Sequence, residues 1–138
     1  FIADVHDDYV VQLVVNDVSV QSSPDTVTIS FENIKPLADA GTSQSVNVGD
    51  TVTLDGRGSS DANGDTLTYS WTLSTVPTGS LSALTNSTAT VATFVTDVAG
   101  TNVVQLVLND GTVHSDPSTV QVQAVDTVTA AIQSFQDC

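Results

Sequence analysis

Asp61-Ala-Asn-Gly-Asp65 places three oxygen-bearing side chains at alternate positions around a glycine. Hard cations such as Ca²⁺ take six to eight oxygen ligands, and Asp61, Asn63 and Asp65 offer three of them from one loop. Asp39, Ser59, Asp97 and Asp110 are the acidic or hydroxyl residues that could add to this set. No glutamate stands at the twelfth position, where Thr72 is found, so the loop is not an EF-hand. The same residues have a plainer reading: Asn63-Gly64 supplies the positive-φ backbone of a tight turn, and solvated carboxylates surround it. At the level of sequence both readings stand.

Other chemistry finds less support. His6 and His114 are the two histidines, and Asp4, Asp7 and Asp8 surround the first. A hydrolase needs a nucleophile, a base and an orienting acid on a rigid shell. Neither histidine recurs in the internal repeat described below, where Ala99 and Gln21 are the counterparts. Both read as surface residues, and the expectation is a protein that is not an enzyme. Sugar-binding platforms expose flat aromatics, yet aromatics are 5% of the chain, and its one tryptophan, Trp71, reads as core. Glycan binding is therefore a distant alternative. Asn86-Ser-Thr88 matches a glycosylation acceptor pattern, in a chain already rich in Ser and Thr.

These residues must be positioned by β structure. The chain holds 23 valines and 20 threonines and no methionine. β-branched side chains lose χ1 freedom in helices and suit a half-buried pleated surface. Lys35 and Arg57 stand alone against 16 acidic residues, for a net charge of −14. That charge repels nucleic acid and anionic membranes and favours cations. No run approaches the roughly 20 apolar residues of a membrane helix. The chain opens without a methionine or signal peptide, so Phe1 reads as a processed start or a fragment edge. Cys138 is the single cysteine and cannot form an internal disulfide.

Residues 1–30 align without a gap onto residues 94–123. Val10-Val-Gln-Leu-Val14 recurs as Val103-Val-Gln-Leu-Val107, and Asn16-Asp17, Val20, Ser22, Pro24 and Val27 recur as Asn109-Asp110, Val113, Ser115, Pro117 and Val120. A fixed period marks repeat architecture. The unit is a module of 93 residues, present here once and preceded by the last part of another. Three stretches follow: 1–36, a C-terminal hairpin of an incomplete module with its linker; 37–125, a complete module; and 126–138, a tail outside the repeat.

In the module, alternation and turn residues predict strands at Gln44–Val48, Thr51–Asp55, Thr66–Leu73, Thr88–Val95, Asn102–Asn109 and Ser118–Val125. Core candidates are Val52, Leu54, Leu67, Tyr69, Trp71, Leu73, Val91, Val104, Leu106, Leu108, Val120 and Val122. The leading hairpin spans Tyr9–Asn16 and Asp25–Phe31. Its apolar face (Val11, Leu13, Val15, Val27, Ile29) needs strands that this sequence lacks, because a lone hairpin is marginal in water. In the tail, Ala130–Phe135 reads equally as a helix or as a strand.

Four motifs in order carry a resemblance: Ala38-Asp-Ala-Gly41, Val52-Thr-Leu-Asp-Gly-Arg-Gly-Ser-Ser-Asp61, Gly64-Asp-Thr-Leu-Thr-Tyr-Ser-Trp71 and Val104-Gln-Leu-Val-Leu-Asn-Asp-Gly111. Over residues 37–125 the chain resembles the PKD family of Ig-like β-sandwiches, nearest to the bacterial PKD-like subgroup. The Trp-Asp-Phe-Gly-Asp-Gly signature of the better-known subgroup is missing. The resemblance implies an all-β fold, an Ig-like sandwich preceded by the last two strands of a second one. It also implies a secreted or cell-surface location and a role as spacer, adhesion unit or accessory of a hydrolase. Some members bind calcium near the module start, which brings Asp39 into the ligand set. The expected function is a non-catalytic extracellular spacer or adhesion module, calcium-stiffened, with neighbouring modules or identical chains as partners. A self-assembling fibre subunit using strand exchange is the alternative.

Overall fold

The computed structural model describes residues 8–127, which fall into two compact units divided between Ile34 and Lys35. The tail stretch Ala130–Phe135, His6 and Cys138 lie outside the described residues. In the first unit, β1 (Tyr9–Leu13) and β2 (Asp25–Ile29) form an antiparallel pair with Val11 opposite Val27. Tyr9 and Phe31 meet edge to face, ring centroids 5.8 Å apart.

The second unit is a β-sandwich. Its strands are β3 (Gln44–Asn47), β4 (Thr51–Asp55), β5 (Thr68–Thr75), β6 (Val91–Val95), β7 (Gly100–Asn109) and β8 (Ser118–Val125). One sheet has the order β3-β8-β7-β5 and the other pairs β4 with β6. All pairings are antiparallel except β3 with β8, the first and last strands, which run parallel. No described residue belongs to a helix long and apolar enough to cross a membrane.

Alternation along each strand builds the core. Val52 and Leu54 of β4 face Val104, Leu106 and Leu108 of β7 and Val120 and Val122 of β8, all essentially sealed from solvent. Fully burying a Val or Leu side chain contributes roughly 1.5–3 kcal/mol, so this row dominates the stability of the module. Trp71 is buried between the layers, and its indole N–H donates to the carbonyl of Ala89 at 2.9 Å. That bond lets the polar end of the largest side chain enter the core without cost.

Several strand bounds change: β1 ends at Leu13 rather than Asn16, β2 at Ile29 rather than Phe31 and β3 at Asn47 rather than Val48, while β7 starts at Gly100 rather than Asn102. The segment from Thr88 is not extended, because Asn86 takes φ 58° and Ala89 N–H closes a turn on the Asn86 carbonyl, so β6 starts at Val91. β5 starts at Thr68 and runs to Thr75, across an irregularity between Leu73 and Thr75. The core face of β6 is also corrected. Ala92 and Phe94 point inward, while Val91 is only half-buried. A small inward alanine hides the period of a five-residue strand.

Two polar details bear on stability. Asn102 on β7 is 1% exposed, and neither its amide nitrogen nor its oxygen has a partner among the described residues. Such a group costs about 1–3 kcal/mol of desolvation. Asn102→Leu keeps the branched shape and is expected to raise the unfolding free energy by about 1 kcal/mol in denaturant titration; a lower value would mean that the amide is satisfied. Asp97 accepts bonds from the Ser80 hydroxyl, Leu81 N–H and Ser82 hydroxyl, which hold its carboxyl down at about 2. Because the folded value lies below the unfolded one, this stabilisation is complete above about pH 4 and fades as pH falls toward 2. Asp97→Asn should therefore lower Tm at pH 7 and converge on the parent protein near pH 2. A gap of constant size across that range would contradict the assignment.

Candidate cation site

Asp61 organises its own loop. Its Oδ1 accepts the backbone N–H of Asn63 at 2.9 Å and of Asp65 at 3.0 Å. Short acidic side chains fold back onto nearby amides in this way and fix a turn without help from elsewhere. The other oxygen, Oδ2, is buried and has no hydrogen-bond partner among the described residues.

A second turn approaches from the end of β7. Asp110 Oδ1 accepts Thr112 N–H and Val113 N–H, both at 2.7 Å, and the residue is 8% exposed. The two turns meet because Thr68, at the start of β5, pairs with Asn109, at the end of β7. One carboxylate oxygen from each of Asp61, Asp65 and Asp110 lies within 4.8 Å of the others. Two unit charges at that distance repel by about 3 kcal/mol at an effective dielectric near 20. Backbone N–H groups offset part of this at Asp61 and Asp110. A divalent cation would offset the remainder and give the buried Asp61 oxygen a partner, so the donor set fits a hard, oxygen-seeking ion.

The four sequence-derived candidates are not all brought together. Asp61 and Asp65 lie in the group. Asn63 lies on the exposed side of the same loop, tied in through its backbone N–H. Asp39 stands outside the group of three. Its Oδ1 accepts Gly41 N–H at 2.9 Å, and its own N–H donates to the Ser59 hydroxyl at 3.0 Å. Its Oδ2 rests against Gly58, in the space that a Cβ there would take. Of the residues that could extend the loop, Asp110 joins it, whereas Asp97 is taken up by residues 80–82. The signal for Asp110 was present in the sequence as Asn109-Asp110-Gly111, a turn at the far end of the strand that pairs with β5. His114 is exposed beside this turn, bridged through its backbone to Asn109.

Comparison with known proteins places the module. The family model described as "K319L-like, PKD domain" matches residues 40–124, a stretch that covers nearly all of the sandwich. The solution structure of the PKD domain from the KIAA 1837 protein is 33% identical over 64% of this chain and 85% of that one, with a TM-score of 0.54. A nucleoside hydrolase-related hypothetical protein from Saccharophagus degradans, associated with carbohydrate metabolism, shares 25% identity and a TM-score of 0.58 over 67% of this chain. The chain covers 26% of that protein's length, so the likeness is to a part of it. No curated protein sequence matches. With four ordered motifs, the sandwich and the family match over most of its length in agreement, the chain belongs to the K319L-like PKD domain family.

Proposed function

We propose that the chain is a non-catalytic structural and adhesion-type module of a tandem, extracellular array, and that it works as a load-bearing spacer. The observation that carries this reading is the parallel pairing of the first and last strands of the sandwich, Gln44↔Val122 through Asn47↔Val125, extended by Val48 N–H donating to the Val125 carbonyl at 2.9 Å. In a parallel pair, the start of β3 and the end of β8 lie at opposite ends of the ladder. Tension along the polypeptide then shears all of these bonds at once instead of opening them one by one. Family membership and the charge of −14, which keeps neighbouring modules soluble, agree with the reading. Trp71 and Phe94 are committed to the core and Tyr69 is half-buried, so among the described residues of the sandwich no aromatic ring lies fully exposed as a sugar platform would.

Calcium is the cation this reading assigns to Asp61, Asp65 and Asp110. A bound ion would supply charge neutralisation and would tie the loop before β5 to the β7–β8 turn. No catalytic role is attached to it. The Asp61 and Asp110 carboxylates are held by backbone N–H bonds, so two of the three ligands are organised before an ion arrives.

Two measurements test the proposal. Single-molecule pulling on the module attached at Gln44 and Val125 should need a markedly higher force than pulling at Asn47 and Val125. Those last two positions are paired at one end of the ladder, where force peels it open. Equal forces would remove the load-bearing role. For the ion, calcium at about 100 times its dissociation constant should stabilise chelated protein by about 2.7 kcal/mol. In a domain of about 90 residues that shifts Tm by roughly 15 °C. Asp65→Asn should abolish the calcium shift and raise Tm in chelator, because it removes one of three mutually repelling charges. An unchanged melting curve on adding calcium would sink the assignment.

A further inference from the structure

The hairpin β1–β2 repeats β7–β8 not only in residue type but bond for bond. Val11 pairs with Val27 as Val104 pairs with Val120, and Tyr9 with Ile29 as Asn102 with Val122. Asp17 Oδ1 accepts Ser19 and Val20 N–H as Asp110 Oδ1 accepts Thr112 and Val113 N–H. Ser22 receives Val15 N–H on its hydroxyl as Ser115 receives that of Leu108. Even Val18 sits at φ 88° where Gly111 sits at φ 98°, although a β-branched residue is strained there.

Burial is where the two copies part. Val104, Leu106 and Leu108 are 0% exposed and Val120 2%, whereas Val11 is 44%, Leu13 63%, Val15 61% and Val27 56%. In the sealed copy the cover is known: β4 and β6 lie across the face, with Trp71 of β5 beside it. The open copy presents apolar residues at the same positions in the same register, differing only in Val15 for Leu108 and Ile29 for Val122, so the surface complementary to it is of the same kind.

Resting on the tandem reading above, we infer that β1–β2 is the closing hairpin of a preceding sandwich, and that its face takes strands of the β3–β6 kind that come before it in the same polypeptide. The sequence repeat supports a source in the same polypeptide. It runs back through Asp4-Val5 and Phe1, the counterparts of Asp97-Val98 and of Phe94 in β6, so the hairpin is led into by the end of a β6-like strand sequence. A second copy of the chain fits less well. The place that this hairpin would fill in another module is already held by β7–β8 in an identical register, so exchange gains no contact. Face-to-face pairing of two such hairpins buries little. Two five-residue strands cover an area about 17 Å by 10 Å, far short of the roughly 800 Å² per partner of a stable interface.

The test joins a copy of residues 37–93 directly ahead of Phe1, restoring the full repeat, and follows amide hydrogen exchange at Val11, Leu13, Val27 and Ile29. These amides should exchange on the order of 1,000-fold more slowly than in the 138-residue chain, approaching Val104 and Val120. Leu13→Asp in the extended chain should erase that protection while leaving residues 102–124 protected. Exchange at the hairpin that does not slow on extension would overturn the inference. So would protection in the unextended 138-residue chain that grows with its concentration, which would assign the cover to a second copy. Neither outcome touches the pulling and calcium measurements, so failure here and failure of the spacer reading are told apart.

Discussion

Everything in this molecule depends on covering the inward face of one antiparallel hairpin. β7 and β8 contribute Val104, Leu106, Leu108, Val120 and Val122, and each is taken out of water by the β4–β6 layer and Trp71. Once that row is sealed, the remaining choices are constrained. β5 must pair with the free edge of β7, and β3 with the free edge of β8. The turns at the strand ends then fall into place around them. The acidic group is a by-product of this arrangement, since Asp110 ends β7 and Asp61 and Asp65 precede β5.

The strongly acidic composition also acquires a local meaning. Many carboxylates are used to shape backbone. Asp17, Asp39, Asp50, Asp61, Asp97 and Asp110 each accept main-chain N–H groups in turns or loops. Such bonds do the work that Lys and Arg ion pairs do elsewhere. The two basic side chains each pair with a carboxylate, Lys35 with Asp116 and Arg57 with Asp55. Arg57 lies two residues beyond Asp55 and pulls its carboxyl down to about 2 through the side-chain hydrogen bond. Both pairs are exposed, and exposed pairs contribute little.

Much of the fold was legible in the residues themselves. The repeat of Val-Val-Gln-Leu-Val, the alternation around Leu106 and the position of Trp71 gave the strands, the core and the family resemblance. β6 was harder, because Ala92 is too small to mark a face and Val91 and Val95 are apolar on the other one. The loop Asp61–Asp65 was readable as a turn and as half of an ionic group. Its remaining member, Asp110, was one of four candidates in the sequence, and the choice among them comes from strand pairing across β5 and β7, which brings residue 110 to residue 65. Asp39 entered through family likeness, and its carboxylate is instead engaged with Gly41 and packed against Gly58.

The single tryptophan has a practical corollary. Trp71 lies 3% exposed in the core of the sandwich, with its indole nitrogen tied to a carbonyl. Light emitted from it reports on the integrity of that unit alone, since the leading hairpin has only tyrosine and phenylalanine. The protein thus carries a built-in optical label that separates melting of one portion from events in the other, with no dye attached.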